Sequence, residues 1–246
     1  MKKIARALVV ACFACISVSG QDKKVEEGAK TEKVRTASFI HLDKLPLETM
    51  IAAPPAPGSE TVKAEFAELH RLQDTRTPEQ VKAAQADDAE EDIFVYRTVL
   101  GASFNAESLP QTAKLSAHVH GDEPVASDGL KTLFERPRPY QVDATLHPVC
   151  KVTTAHNAYP SGHTLSGYLL ALTLIQIVPE KKEEILKRAA DYAHNRLVCG
   201  VHTASDLEAS RLIAYAMFGS IMQEPRFQQE LAAARTEVRG ALHLNQ

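Results

Sequence analysis

The stretch 160–179, Pro-Ser-Gly-His-Thr-Leu-Ser-Gly-Tyr-Leu-Leu-Ala-Leu-Thr-Leu-Ile-Gln-Ile-Val-Pro, reads as one helix with its own start and stop. Ser161 stands in an N-cap position, where its hydroxyl can accept from a free amide of the first turn. Pro179 cannot continue the ladder, so the helix ends near it. Between them Leu165, Leu169, Leu172 and Ile175 recur at steps of three and four, with Tyr168 and Gln176 on the flank. A helix that is mostly apolar all round is a buried one, so this segment is expected at the centre of the domain.

The same periodicity extends in both directions. Downstream, Lys181 to Leu197 forms a helix with acids near its start, and Gly200 breaks it. Thr203 to Met222 forms another, with Asp206 and Glu208 in its first turns. Upstream, Glu60 to Leu72 carries Val62, Phe66, Leu69 and Leu72 on one stripe, and Glu91 to Leu100 and Ala106 to His118 read similarly. Pro137 and Pro139 flank Arg138, so the helix before them stops ahead of Arg136. Alternating β-branched runs are scarce and no internal repeat is present. The chain is read as all-α, a single-domain helical bundle.

Residues 1–20 have a basic start (Lys2, Lys3, Arg6), an apolar run from Ala7 to Val18 and small residues after it, the layout of a secretory signal peptide. The run is shorter than the about 20 apolar residues that a membrane span needs, and no other segment qualifies. The expected division is a signal peptide at 1–20, a flexible charged leader at 21–45 and a helical domain at 46–246. Ala52 to Ser59, with Pro54, Pro55 and Pro57, is an extended lead-in. The expected location is periplasmic or secreted. Without the first 20 residues, 25 basic side chains face 31 acidic ones, a balance of −6 that disfavours nucleic acid as a partner. Cys12 and Cys15 fall in the signal, and lipidation there is poorly supported. Cys150 and Cys199 remain; an even pair in an oxidising compartment suggests a disulfide, and two buried thiols are the other reading.

Three clusters carry chemistry. In the first, Lys131 and Arg138 are seven residues apart, and proline-locked backbone aims the guanidinium. Arginine suits two-pronged contact with phosphate oxygens, and lysine adds a compact point charge. In the second, Ser161, Gly162 and His163 open the apolar helix, whose free amides make an anion site that Gly162 allows a ligand to approach closely. In the third, His202 and Asp206 lie four apart on one helical face behind Arg196. The carboxylate can take the proton of one ring nitrogen and leave the other bare. Taken singly, each has a plain reading as a solvated cation, a helix cap or an exposed i, i+4 pair. His118 and His120 invite a metal reading, but two histidines two apart need partners that the sequence does not identify, so a structural or surface role is favoured and no metal is assigned.

Together and in this order, the clusters match Lys-x6-Arg-Pro, Pro-Ser-Gly-His and Arg-x5-His-x3-Asp, the pattern of the type 2 phosphatidic acid phosphatase superfamily. The proline-rich lead-in at 53–59 and the stretch 196–202, Arg-Leu-Val-Cys-Gly-Val-His, further resemble its soluble class A bacterial non-specific acid phosphatases. The resemblance spans roughly residues 50–235. It implies a metal-free, cofactor-free phosphomonoesterase in which His202 is the nucleophile, Asp206 orients it and His163 protonates the leaving oxygen. Lys131, Arg138, Arg196, Ser161 and Gly162 would hold the phosphoryl oxygens. Phosphate or vanadate would inhibit, phosphotransfer to alcohols could accompany hydrolysis, and self-association is left open. Asn195 departs from the family's usual serine before the arginine. The runner-up, a vanadium-dependent haloperoxidase, shares the three motifs but belongs to longer chains. The membrane-embedded lipid phosphatases have spanning helices that this sequence lacks, and retention of both histidines and Asp206 argues against a phosphate-binding protein without turnover.

Overall fold

The computed structural model describes residues 35–244, and the signal-peptide reading of 1–20 lies outside them. Ten α-helices connected by three short 3-10 turns make up these residues, with no strand among them. In chain order the helices are α1 (Leu47–Met50), α2 (Glu60–Thr75), α3 (Pro78–Ala89), α4 (Arg97–Leu100), α5 (Pro110–Phe134), α6 (Pro139–Val142), α7 (Gly162–Ile177), α8 (Lys182–Val198), α9 (Ala204–Ile221) and α10 (Pro225–Ala241).

α7 is the central element. Ser161 caps it, accepting from Thr164 N, and its buried residues face every direction. α8, α9, α5 and α10 all pack against it, and α5 and α10 also pack on each other. Leu165, Leu169, Leu170 and Leu174 of α7 interlock with Ile213 and Met217 of α9, Leu115 and Val119 of α5, and Phe227 and Leu231 of α10 in one continuous core. Burial of this kind contributes roughly 1.5–3 kcal/mol for each large aliphatic side chain, which outweighs any propensity term along α7. Where α7 and α8 come closest, Gly167 faces the Tyr192 ring, and its carbonyl accepts from Tyr96 Oη at 2.7 Å.

Several expectations need correction. Residues 91–100 do not form one helix. Asp92 caps a buried 3-10 turn, Ile93–Tyr96, and the short α4 ends at Gly101, whose φ of 93° stops the ladder. The segment expected at Ala106 to His118 begins only at Pro110, which supplies the first turn, and continues past Pro124 to Phe134. α3 and α10 carried no expectation at all. α3 buries Ala84 and Asp87 where an apolar stripe would be sought, so its packing face is invisible to periodicity. The leader boundary also moves. Phe39 and Ile40 are core residues, and the amides of Ser38, Phe39 and Ile40 donate to the buried carboxylate of Asp122 on α5. A buried carboxylate is stable only when its lone pairs are filled, so these amides tie residues 38–40 down well before position 46.

Candidate active site

Five helix ends meet in one place: the C-termini of α3, α5 and α8 and the N-termini of α7 and α9. Each delivers a side chain that the backbone there has reason to present. Glu135 adopts the left-handed conformation (φ 41°) immediately after α5, turning the chain so that Arg136-Pro-Arg-Pro runs back across the site. Gly200 (φ 75°) makes the equivalent break after α8 and lets Val201 and His202 lead into α9.

Lys131 projects from the last turn of α5, where Ser127 Oγ accepts from its Nζ at 2.8 Å and Glu123 Oε1 lies at 3.5 Å. It stands against the start of α7. A Cβ added to Gly162 would sit 2.8 Å from Glu123 Oε1 and 3.3 Å from Lys131 Nζ, so a larger residue here would have to displace the ends of those two side chains. A cavity of about 400 Å³ opens beside it between Lys131, Thr132, Glu135, Thr154, His156 and Asn157.

Arg138 donates from Nε to Asn157 Oδ1 (3.0 Å) and from Nη1 to Val201 O (3.1 Å) and His202 Nε2 (2.7 Å). The last contact fixes the ring chemistry. A guanidinium only donates, so Nε2 of His202 is the bare nitrogen and Nδ1 carries the proton, which points at Asp206 Oδ2 3.3 Å away. Both members of the pair are fully buried. Burial, then the charges of Arg138 and Arg196, push the His202 imidazolium well below its ordinary range, so the ring is neutral. Burial also raises the Asp206 carboxyl, to about 6, against the pull of Arg136 and of the Thr203 amide.

Arg196, in the last turn of α8, is held from behind. Its Nη1 donates to Asp88 Oδ1 at 2.5 Å, while its buried Nε has no hydrogen-bond partner among the described residues. Asp88 also accepts from Lys151 N through Oδ2 (3.0 Å), and its carbonyl oxygen is 3.3 Å from His163 Nε2. Burial works to raise the Asp88 carboxyl, but the bond to Arg196 prevails and keeps it low. His163 stacks on Tyr192 and has Glu91 Oε1 at 3.4 Å. Burial and the Arg196 charge push its pKa down to about 3. Next to Lys151, Cys150 is bonded to Cys199.

The residues expected from sequence thus gather around one point: Lys131, Arg138, Ser161, Gly162, His163, Arg196, His202 and Asp206. Others were not foreseen. Asp88 binds both Arg196 and His163, while Glu123, Asn157 and Arg136 each bind one of these groups, and only Arg136, in the run Arg136-Pro-Arg-Pro, left a visible signal. Asn195, in place of the expected serine, donates to Asp87 Oδ2 at 2.7 Å. His118 and His120 have separate partners, Glu230 Oε2 at 2.7 Å and Ser166 Oγ at 2.8 Å.

Three cations and a capped helix N-terminus around a neutral imidazole with a bare nitrogen can hold a tetrahedral dianion next to a nucleophile. A model of the PAP2 superfamily matches residues 123–229. The non-specific acid phosphatase of Salmonella typhimurium is 29% identical over 221 residues, 85% of this chain and 88% of that protein. The acid phosphatase of Zymomonas mobilis is 28% identical over 256 residues, 98% and 93% of the two chains. A transmembrane PAP2-type phosphatidylglycerolphosphate phosphatase from Bacillus subtilis covers 74% of this chain and 91% of its own at 18% identity, with a TM-score of 0.49.

Proposed function

The chain belongs to the PAP2 superfamily and is an acid phosphatase, and from that premise we propose that it hydrolyses phosphomonoesters of broad specificity through a phosphohistidine on His202. The observation that carries the mechanism is the fixed tautomer: Arg138 on Nε2 and Asp206 on Nδ1 leave a neutral, buried imidazole beside the anion-holding groups. In the first step Nε2 attacks phosphorus, the P–O ester bond breaks, and His163 gives its proton to the leaving oxygen. In the second, water attacks the phosphohistidine, His163 takes a proton from it, and orthophosphate leaves. Lys131, Arg138, Arg196 and the α7 amides neutralise the oxygens throughout, which is the larger share of catalysis in phosphoryl transfer.

His163 must be protonated to act as an acid, yet burial, reinforced by the Arg196 and Arg138 charges, drives its proton off. A bound dianion opposes Arg196 and Arg138 and returns it, so proton uptake accompanies substrate binding. Replacement of water by an alcohol in the second step would give phosphotransfer. The layout of residues 1–20 supports export to the periplasm or beyond.

Acid-quench labelling with a ³²P phosphomonoester tests the scheme. His202→Ala should abolish turnover of every substrate. His163→Ala should cost about a hundredfold or more on alkyl esters and much less on aryl esters with acidic phenols, whose leaving oxygen needs no proton. Label on His163, or equal losses on both ester types, defeats the assignment. Rapid bromide oxidation by peroxide in the vanadate-loaded protein, without phosphatase activity, would make the haloperoxidase reading correct.

A further inference from the structure

Arg136 lies outside the three-part motif and touches none of the groups assigned to the phosphate. Its guanidinium is nonetheless largely buried between two acids from different helices. Nη1 donates to Asp206 Oδ1 at 2.6 Å and to Ser205 Oγ at 2.7 Å, and Nη2 to Glu65 Oε2 at 3.1 Å. The other oxygen of Glu65, from α2, accepts from Ser205 N at 2.6 Å. The result is a closed bracket in which α2 holds both Arg136 and the first turn of α9.

Asp206 accordingly accepts from three donors: Arg136 on Oδ1, and Thr203 N (2.8 Å) with His202 Nδ1 on Oδ2. An ionised carboxylate satisfies all three. A protonated one would turn a hydrogen toward a donor and lose the imidazole or the arginine. We propose that Arg136, anchored by Glu65, is a positioning residue that holds the Asp206 carboxylate onto His202 Nδ1 and so keeps Nε2 bare. This rests on the reading of His202 as the nucleophile.

The surroundings of Asp206 show why one arginine is needed. Glu65 from α2 and Tyr159 ahead of α7 oppose the anion or are themselves made harder to ionise by it; Arg138 and neutral His202 lie on the catalytic side. Arg136 is the cation in direct contact. Burial raises the carboxyl to about 6 even against the pull of Arg136 and the Thr203 amide, so without Arg136 only the neutral amide in contact opposes that burial.

The test uses Arg136→Gln, with Arg136→Lys as the milder variant if the first fails to fold. Two readouts are taken: the acid limb of the kcat profile and the ¹⁵N tautomer signature of the His202 ring at about pH 7, above the Asp206 value of about 6. The acid limb should move toward neutral by about one pH unit in Gln and less in Lys, since removing an adjacent opposite charge raises a carboxylate by that order. The Nδ1–H tautomer of His202 should be lost or mixed in Gln and retained in part in Lys. The inhibition constant of inorganic phosphate should change less than about threefold, because the anion-holding side chains are untouched. An unmoved acid limb together with an unchanged His202 tautomer in a folded variant overturns the proposal. The ring signature does not depend on phosphorylation, so label on a residue other than His202 would defeat the nucleophile reading and leave the Arg136 result standing.

Discussion

Asp88 shows how a single side chain decides what its neighbour can bind. It accepts from Nη1 of Arg196 while the buried Nε is left without a partner among the described residues, so Asp88 sets how the guanidinium is aimed. Asparagine has one acceptor and cannot receive from both Arg196 and Lys151. Asp88→Asn should therefore raise KM and the phosphate inhibition constant by roughly tenfold, about 1.4 kcal/mol, with a smaller change in kcat. Removing a negative charge beside the anion site would by itself tighten binding, so a variant that binds phosphate more strongly would show that Asp88 acts only as a charge. The divide between Asp88 and Arg196 is also the divide in what the sequence discloses. The motif side chains sit at fixed spacings near a helix end, as in Arg196-x5-His202-x3-Asp206. Their partners, Asp88 on Arg196 and Arg136 on Asp206, come from other parts of the chain at separations set only by the packed fold, and no fixed spacing ties them to the groups they hold.

Among the elements, α7 was readable because one helix carried cap, apolar rows and stop within its own residues. α3 was not, since what it buries is Asp87, paired with Arg188 of α8, and a charge buried against a distant partner looks like surface in one dimension. The join of α7 to α8 makes a separate prediction. A Cβ at Gly167 would lie 2.7 Å from Cδ1 of the buried Tyr192, whose ring packs against His163 and whose hydroxyl donates to Glu90 O. The ring has nowhere to go without shifting the helices. Gly167→Ala should destabilise by about 1–3 kcal/mol in urea unfolding despite alanine's better helix propensity. A neutral or stabilising result would mean that the interface yields more easily than its spacing suggests.

For the molecule as a whole, the site makes stability depend on pH. His163 and His202 have lowered pKa values in the folded protein, so between the ordinary 6.5 and about 3 the unfolded chain binds more protons. Stability then falls as pH drops through that window. Asp206, raised to about 6 from 3.8, has the opposite sign over a narrower range and offsets only part of this. The calorimetric midpoint should fall between pH 7 and 4.5, and inorganic phosphate should reduce the fall by restoring the imidazolium charge of His163; an equal fall with and without phosphate would contradict the proposed anion site. Among the described residues no helix is long and apolar enough to cross a membrane. The bridge between Cys150 and Cys199, separated by 49 residues, also has a mechanical meaning. Tension applied at the two ends of the chain passes through sulfur and bypasses the intervening loop, shielding about 160 Å of contour from extension. Ser161, Gly162, His163 and Arg196 ride inside that unloaded loop, while His202 and Asp206 stand just outside it, so the load path runs between the two halves of the candidate site.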